Sequence, residues 1–295
     1  MATQISNSFV VQYEKEVHHL FQKRGAILGT TVRRKDGVVG SSTTFQKIGK
    51  GTATTKARHG VITPMNQDHT AISCTISDFY AGDWVDKLDE AKTNIDERMA
   101  IAQGGAWALG RKVDNQLFTA MTGTTETTVT FSKAGYAEVR NSLLEAAETL
   151  DLNDAPNDGQ RYGALTPNGW ACAMTAPEFA SADYIGSDGL PFTQGAPVSR
   201  FKEFMNIKWT VHSGCINVNT STAECFAWHK SAIGYATGAH AGNVAANGAV
   251  SADITWHGDR AAHFVNHSMS GGACLIDTTG VVQLTIDDTG SLPTS

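Results

Sequence analysis

The sequence lacks long apolar runs and paired cysteines. No stretch of about 18 consecutive apolar residues occurs, and the amino terminus, MATQISNSF, has no positive segment followed by an apolar one, so we expect a soluble intracellular protein that does not enter a membrane. The five cysteines are scattered without a CxxC pair, which favours reduced, buried thiols over a disulfide framework or a zinc site. With 41% hydrophobic residues, the 295-residue chain can still bury a large core.

Motifs that carry catalytic chemistry are also missing: GxSxG, the P-loop, GxGxxG and HExxH do not occur. The best candidates for metal ligands are His257, His263 and His267. His263 and His267 would share one face of a regular strand, but ordinary surface or core histidines are the favoured interpretation.

Acidic residues give no clearer signal of chemistry. The segment NDAPNDGQ (153–160) resembles a calcium loop, but its ligand spacing breaks at Ala155 and no Glu closes it. Asp277, Asp287 and Asp288 follow predicted strands without an activated nucleophile nearby, and aspartates are common in turns. We therefore predict no cofactor and no metal site.

Charge is distributed unevenly along the chain. Residues 1–60 hold ten Lys/Arg and three acidic residues, a local charge of +7, and the remainder carries −13 within an overall charge of −6. This asymmetry indicates that one end of the chain lies on an acidic surface, most simply another copy of the same protein. Nucleic acid is the competing partner, but no aromatic or RNA-binding signature is interleaved with the basic residues.

The longest helical pattern runs from Asp83 to Met121. Apolar residues recur there at steps of three and four, and charged residues fill the opposite face. At about 1.5 Å per residue the helix would be roughly 50 Å long, which suits a flat, plate-like subunit better than a compact enzyme. Gly104, Gly105 and Gly110 indicate a bend or a close backbone contact.

A polar, β-rich segment precedes this helix. Residues 27–75 combine Gly, Ser, Thr and β-branched residues with turn signals, which predicts a long β-hairpin. The hairpin has few large apolar residues, so we expect it to gain stability by lying on a partner. Residues 6–24 have the pattern of a short helix or arm.

Helices and strands are mixed after the long helix. Ser132 is expected to cap a second helix that ends near Asp151, and Thr166-Pro167 to start a short one. The pattern also predicts a small-residue helix at 231–240 and strands at 161–165, 206–213, 224–228, 250–257, 261–268 and 281–287. No βαβ repeat is present, so the fold class is α+β.

The order of these elements resembles the major capsid proteins of tailed bacteriophages, which have the Hong Kong 97 fold. Residues 62–121, from ITPMNQ to LFTAM, resemble the end of that family's extended loop (E-loop) running into its spine helix. Residues 158–186, from DGQRYG to SADYIG, resemble the entry into its axial domain, and FAWHKSAIGYATGA (226–239) resembles the strand and helix that follow.

The resemblance implies a division of the chain into an N-terminal arm (1–26), an E-loop (27–71), a peripheral domain (72–151) with the spine helix at 83–121, an axial domain (152–268) and a C-terminal strand (269–295) that returns to the peripheral domain. It also implies that basic residues of the E-loop contact a neighbouring subunit: Arg33, Arg34, Lys35, Lys47, Lys50, Lys56 and Arg58.

The function implied is that of a structural protein, not an enzyme. Similar proteins form hexamers and pentamers and close into an icosahedral shell around double-stranded DNA, without sequence-specific binding to it. The implied location is the virion capsid, assembled in the host cytoplasm. Besides copies of itself, the implied partners are a portal protein and, in some members, a separate scaffolding protein and a decoration protein.

Two features depart from the family. Some members carry a scaffolding segment ahead of the arm, whereas here the arm follows the first residue almost directly, so we expect a separate scaffold or none. The founding member forms a lysine–asparagine cross-link promoted by a glutamate. Lys47, Lys50 or Lys56 could supply the amine and Asn266 the amide, but no Glu follows Glu224, so we do not expect a cross-link.

Two alternatives stay open. An encapsulin nanocompartment shell would have the same fold and would differ by a groove for cargo. From a different class, a soluble metal-dependent hydrolase would use the histidines of residues 257–267.

Overall fold

The computed structural model describes residues 26–88, 97–122, 128–176, 202–239, 251–290 and 292–293. Three α-helices lie within them: α1 (Glu97–Met121), α2 (Tyr136–Leu152) and α3 (Pro167–Thr175). The strands in these ranges are β1 (Arg33–Val38), β2 (Ser42–Ile48), β3 (His69–Thr75), β4 (Ser77–Asp86), β5 (Thr128–Phe131), β6 (Arg161–Leu165), β7 (Lys202–Phe204), β8 (Ile207–Val211), β9 (Ala223–His229), β10 (Ile233–Gly238), β11 (Ser251–His257), β12 (Ala262–Leu275) and β13 (Val281–Ile286).

A five-stranded sheet is organised around β12, the longest strand. β12 pairs antiparallel with β4 over residues 262–271 and with β11 over residues 262–268. Its last residues, 271–275, pair with β10, and β1 then adds to β10 in parallel. Helix α1 packs on one face of this sheet, where Gly105 contacts the ring of His267 on β12.

A six-stranded sheet has the order β5-β13-β9-β6-β8-β7. It is mixed, because β13 pairs parallel with β5 and antiparallel with β9, and β6 pairs parallel with β8. Strand β13 near the C-terminus therefore lies inside a sheet built from residues 128–229. The third sheet is the hairpin of β2 and β3.

Two large hydrophobic clusters hold the body together. In the first, Val139 and Leu143 of α2 pack with Leu284 of β13 and with α3. In the second, α1 contributes Leu117 and packs against Trp228 of β9 among residues from both sheets. Because α1 shares a core with both sheets, a substitution of a buried residue in the helix is expected to disturb side-chain packing in each of them.

The long helix begins later than its sequence pattern predicts. Residues Asp83–Asp86 belong to β4, where Val85 pairs with His263 and Asp83 with Val265. Residues 87 and 88 are helical, residues 89–96 lie outside the described residues, and helix α1 is described from Glu97. The pattern misleads because Val85 fits both the two-residue period of the strand and the helical steps that follow it.

The predicted helix at 231–240 is wrong: residues Ile233–Gly238 form strand β10. This strand lies between β1 and β12, and all six of its residues are buried. A strand buried on both faces shows no alternation of apolar and polar residues, so its small residues were read as helix.

Helix starts are predicted with mixed success. Thr166 caps α3 as expected, because its Oγ1 accepts a hydrogen bond from the Gly169 amide at 3.0 Å. The predicted Ser132 cap is wrong, because α2 begins at Tyr136 after Gly135, which makes no side-chain cap.

The predicted strands are confirmed apart from small shifts in their ends, and β12 extends beyond the predicted end to Leu275. The predicted arm at 6–24 lies outside the described residues.

Candidate assembly surface

The hairpin of β2 and β3 has a buried base and an exposed tip. Phe45 of β2 and Cys74 of β3 are 3% and 0% exposed, and they pack with Ala236, Cys274 and Ile276 in a third hydrophobic cluster. The expectation that the hairpin depends on a partner for its stability is therefore wrong for the base. Phe45 fits because Gly234 on β10 has no side chain: a Cβ there would lie 2.8 Å from the ring.

The tip, defined as residues 50–67, is exposed at every position. Its two ends are joined by a hydrogen bond from the Gly49 amide to the Asp68 carbonyl at 2.8 Å. Val61, Ile62 and Met65 are 91%, 71% and 50% exposed. Loops of this length without secondary structure are uncommon in compact domains and usually have a function. Three large apolar side chains in one such loop mark a surface for contact.

The seven predicted contact residues do not lie together. Arg33, Arg34 and Lys35 are on β1, which pairs with β10 and is not part of the hairpin. This corrects the predicted extent of the hairpin, which begins at β2 and not near Ile27. Arg34 forms an ion pair with Asp36 at 3.0 Å.

Two of the cations reach acidic residues of their own chain. Lys47 lies 2.9 Å from Asp277, and Lys50 pairs with Asp154. Partial burial acts to raise the pKa of Asp277, but hydrogen bonds from Lys47 and Thr279 outweigh it, so this pKa lies below its ordinary value. A hydrogen bond from Lys50 likewise lowers the pKa of Asp154. Lys47 and Lys50 therefore already have acidic partners in the single subunit.

Lys56 and Arg58 differ from these, because they project from the tip and no acidic residue of the described chain lies within 4.0 Å of them. Together with the exposed apolar residues of the tip, they form a cationic, apolar surface.

A second exposed surface lies on the five-stranded sheet, on the face that turns away from α1. We call it the outer sheet face. Paired residues of β4, β12 and β11 point the same way there, so their side chains form one surface. Its aromatic and acidic members, with one histidine, are Asp78, Tyr80, Trp84, Asp86, Asp253, His257 and Phe264, and uncharged residues such as Gly82, Asn266 and Ser268 lie between them.

Aromatic rings and carboxylates dominate the outer sheet face. The ring of Trp84 lies 4.6 Å from that of Phe264 and 5.0 Å from that of His257, and Tyr80 is 70% exposed. Arg260 stacks on Trp84 at 4.5 Å. Asp78, Asp86 and Asp253 are all exposed and outnumber Arg260, so this aromatic surface is acidic.

The candidate metal ligands do not converge. His263 and His267 share the face of β12 that is turned toward α1 but are four residues apart, whereas His257 lies on the outer sheet face. Among the described residues, no group of three His, Cys, Asp or Glu side chains is placed to hold a metal ion.

The candidate carboxylates have structural contacts. Asp287 accepts hydrogen bonds from Thr289, and Asp288 is buried and accepts one from Thr166 Oγ1 at 2.7 Å. In the calcium-like segment, Asp158 contacts the Nε2 atom of His229 at 3.1 Å.

A buried carboxylate on α1 is not predictable from the sequence pattern. Asp114 is 1% exposed and accepts hydrogen bonds from the amides of Ile27 and Leu28, each at 3.1 Å. Its other contact is the Nε2 atom of His212 at 3.0 Å. The amide of Gly214 donates to His212 Nδ1, so a neutral His212 carries its proton on Nε2 and donates it to Asp114. Asp114 thus joins the start of the described chain, the long helix and the end of β8.

These features define a class of protein. A long helix packed across an antiparallel sheet, a second mixed sheet and a projecting hairpin make up the Hong Kong 97 fold of virus shell subunits. Solved structures share this fold. The chain matches the capsid protein of the cyanophage P-SCSP1u with a TM-score of 0.76 at 15% identity, over 98% of this chain and 96% of that one. It matches the capsid protein of Ralstonia phage GP4 with a TM-score of 0.71 at 11% identity, over the whole of both chains.

A family model described as phage capsid protein matches residues 5–288. The chain belongs to the phage capsid protein family and is a structural component of the virion shell. No curated protein matches the sequence. The SrpI encapsulin of Synechococcus elongatus shares the fold with a TM-score of 0.64 at 9% identity, over 96% of this chain and 95% of that one. The fold is therefore common to phage capsids and encapsulin shells. The match to the phage capsid family favours a phage capsid over an encapsulin.

Proposed function

We propose that this chain forms hexamers and pentamers that close into an icosahedral shell around double-stranded DNA, and that the hairpin tip of one subunit lies on the outer sheet face of its neighbour. The observation that carries the contact is complementarity between two exposed surfaces of the same chain. One is cationic and apolar, with Lys56, Arg58 and Ile62, and the other is acidic and aromatic.

Physical chemistry favours this pairing. Exposed apolar residues gain about 25 cal/mol for each Å² that they bury on contact, and cations are attracted both to carboxylates and to the faces of aromatic rings. Opposite charges on the two surfaces also speed the encounter of subunits and favour one register. The ion pairs that Lys47 and Lys50 form within the subunit would hold the hairpin in place as far as the first residue of the tip. The rest of the tip would project outward.

The remaining parts of the proposal follow the family. Assembly in the host cytoplasm, a portal protein at one vertex, and a separate scaffolding or decoration protein are proposed on family membership. Enclosed DNA would be held without sequence-specific contacts, consistent with the charge of −13 outside residues 1–60.

The charge of the tip provides the test. Lys56→Glu with Arg58→Glu should leave the subunit folded but slow or abolish shell assembly, most strongly at low ionic strength, where attraction between exposed charges is least screened. The matched control, Lys56→Arg with Arg58→Lys, keeps the charge and should assemble normally. Light scattering and electron microscopy would report shells.

A reciprocal change would locate the partner surface. Asp78→Lys with Asp86→Lys should also impair assembly, and mixing this variant with the tip variant should restore some contacts between unlike subunits. Normal assembly of the tip variant at low ionic strength would contradict the proposed contact.

A further inference from the structure

Two of the five cysteines lie against each other. All five are buried, and none forms a disulfide. Cys74 of β3 and Cys274 of β12 share the small cluster at the hairpin base, and Cys274 is close enough to act on the pKa of the Cys74 thiol as a hydrogen-bond donor. The other three have separate surroundings: Cys172 contacts Asn168, Cys225 accepts from the Thr166 amide, and Cys215 packs in the cluster around α1.

The backbone brings the two thiols together. Strand β3 crosses β12 so closely at Gly272 that any Cβ there would collide with the carbonyl oxygen of Thr75. At the same crossing, the Cys74 thiol lies 3.3 Å from the Gly272 carbonyl and can donate a hydrogen bond to it. The contact between Cys74 and Cys274 is therefore built into the point where the hairpin meets the body of the subunit.

The two thiols are not equivalent. The hydrogen bond from Cys274 lowers the pKa of Cys74 against the opposing effect of burial, and the Ala236 amide lowers it further. The pKa of Cys274 is raised, first by the hydrogen bond to Cys74 and then by burial. Cys74 is thus the thiol that more readily becomes a thiolate, which is the reactive form.

We propose that Cys74 and Cys274 are a site of oxidative modification, at which a small disulfide such as oxidised glutathione reaches the buried thiols when the hairpin base opens locally and converts them to an intrachain disulfide. The Cys74 thiolate attacks one sulfur of the oxidant, forms a mixed disulfide and releases one small thiolate. Cys274 loses its proton to solvent and its sulfur attacks the Cys74 sulfur, which releases the second small thiolate. Two protein thiols are oxidised, and one small disulfide is reduced to two thiols.

The bond would fix the hairpin base to the body and leave the tip free. It would close a loop of about 200 residues, so it would restrict the unfolded chain and make the oxidised subunit harder to unfold. Shells released from a reducing cell into an oxidising medium would gain this resistance. That last consequence rests on the proposed shell function, whereas the chemistry at the two thiols does not.

The test starts from protein purified with reductant. After incubation of the folded protein with oxidised glutathione and removal of the reagent, thiols are counted in denaturant. We expect a fall from five to three thiols, reversed by dithiothreitol, and a higher urea midpoint for the oxidised form. Trypsin without reduction should yield peptide 59–87 joined to peptide 261–295, since each contains one cysteine.

Single substitutions provide the controls. Cys74→Ser should keep all four remaining thiols after oxidation, and Cys215→Ser should fall from four to two. Cys274→Ser should fall from four to three, because the mixed disulfide at Cys74 has no second thiol to displace the small thiolate. If any of these variants fails to fold, the tryptic peptide map of the oxidised, unsubstituted chain still shows which two cysteines are joined, and this result tests the proposal. Five thiols after oxidation, or a bond between other cysteines, would overturn the proposal. Loss of shells without a change in these thiol counts would count against the assembly function and not against this site.

Discussion

Substituting alanine for each of the two adjacent glycines of α1 is expected to change the stability of the subunit in opposite directions. An alanine Cβ at Gly104 would meet nothing within 4 Å, whereas one at Gly105 would lie 2.8 Å from Nδ1 of His267. Gly104→Ala should therefore gain helix stability of up to about 1 kcal/mol. At Gly105 the same gain is opposed by overpacking, because His267 is only 3% exposed and its ring is enclosed.

Overpacking in a close-packed core costs about 1–3 kcal/mol, so Gly105→Ala should be neutral or destabilise the subunit by up to about 2 kcal/mol. Urea unfolding of unassembled subunits, followed by circular dichroism, would measure both changes. In a His267→Ala background the obstruction is gone, and Gly105→Ala should become stabilising relative to that background. Equal stabilisation by the two alanines in the unmodified chain would refute the close contact between α1 and β12.

Three further changes test other parts of the account by the same unfolding measurement. Phe45→Ala should cost about 3–5 kcal/mol because the ring is buried at the hairpin base, whereas Val39→Ala, at a 91% exposed side chain, should change stability by less than about 0.5 kcal/mol; similar effects would contradict the buried base. Asp114→Asn should cost about 2–4 kcal/mol, since an amide cannot accept all of the hydrogen bonds that the buried carboxylate accepts, and a loss under about 1 kcal/mol would argue against its joining role. Burial raises the pKa of Glu224, so the folded state favours its proton and stability should fall as pH rises from the unfolded pKa of about 4.3 through the raised one. Glu224→Gln should then stabilise the subunit at neutral pH and have no effect below pH of about 4.

Periodicity was informative where an element has one buried and one exposed face. Helix α2 and strand β13 were predictable for this reason, and so was most of α1. The same reasoning failed for β10, because a strand buried on both faces presents a continuous run of small residues. It also failed at residues 83–86, where strand and helix patterns overlap.

The assembly surface was predictable in part. Positive charge in the first 60 residues indicated a cationic surface, but spacing alone could not show that Lys47 and Lys50 pair within the subunit. The outer sheet face went unnoticed because its members come from residues 78–86, 253–257 and 264–268, which only strand pairing brings together. Burial of Phe45 was missed for the same reason, since Gly234, which accommodates it, lies far away in sequence.

The central claim is that the hairpin tip acts between subunits and not within one. Replacing residues 51–67 by a short Gly/Ser turn keeps the ion pair of Lys50 and leaves the base intact, because Gly49 and Asp68 already lie in hydrogen-bond contact. Sedimentation velocity of this variant beside the unmodified chain measures the claim most directly. We predict closed shells for the unmodified chain and, for the variant, free subunits or capsomers that unfold cooperatively in urea. Closed shells from the variant, or a variant that cannot fold, would contradict it.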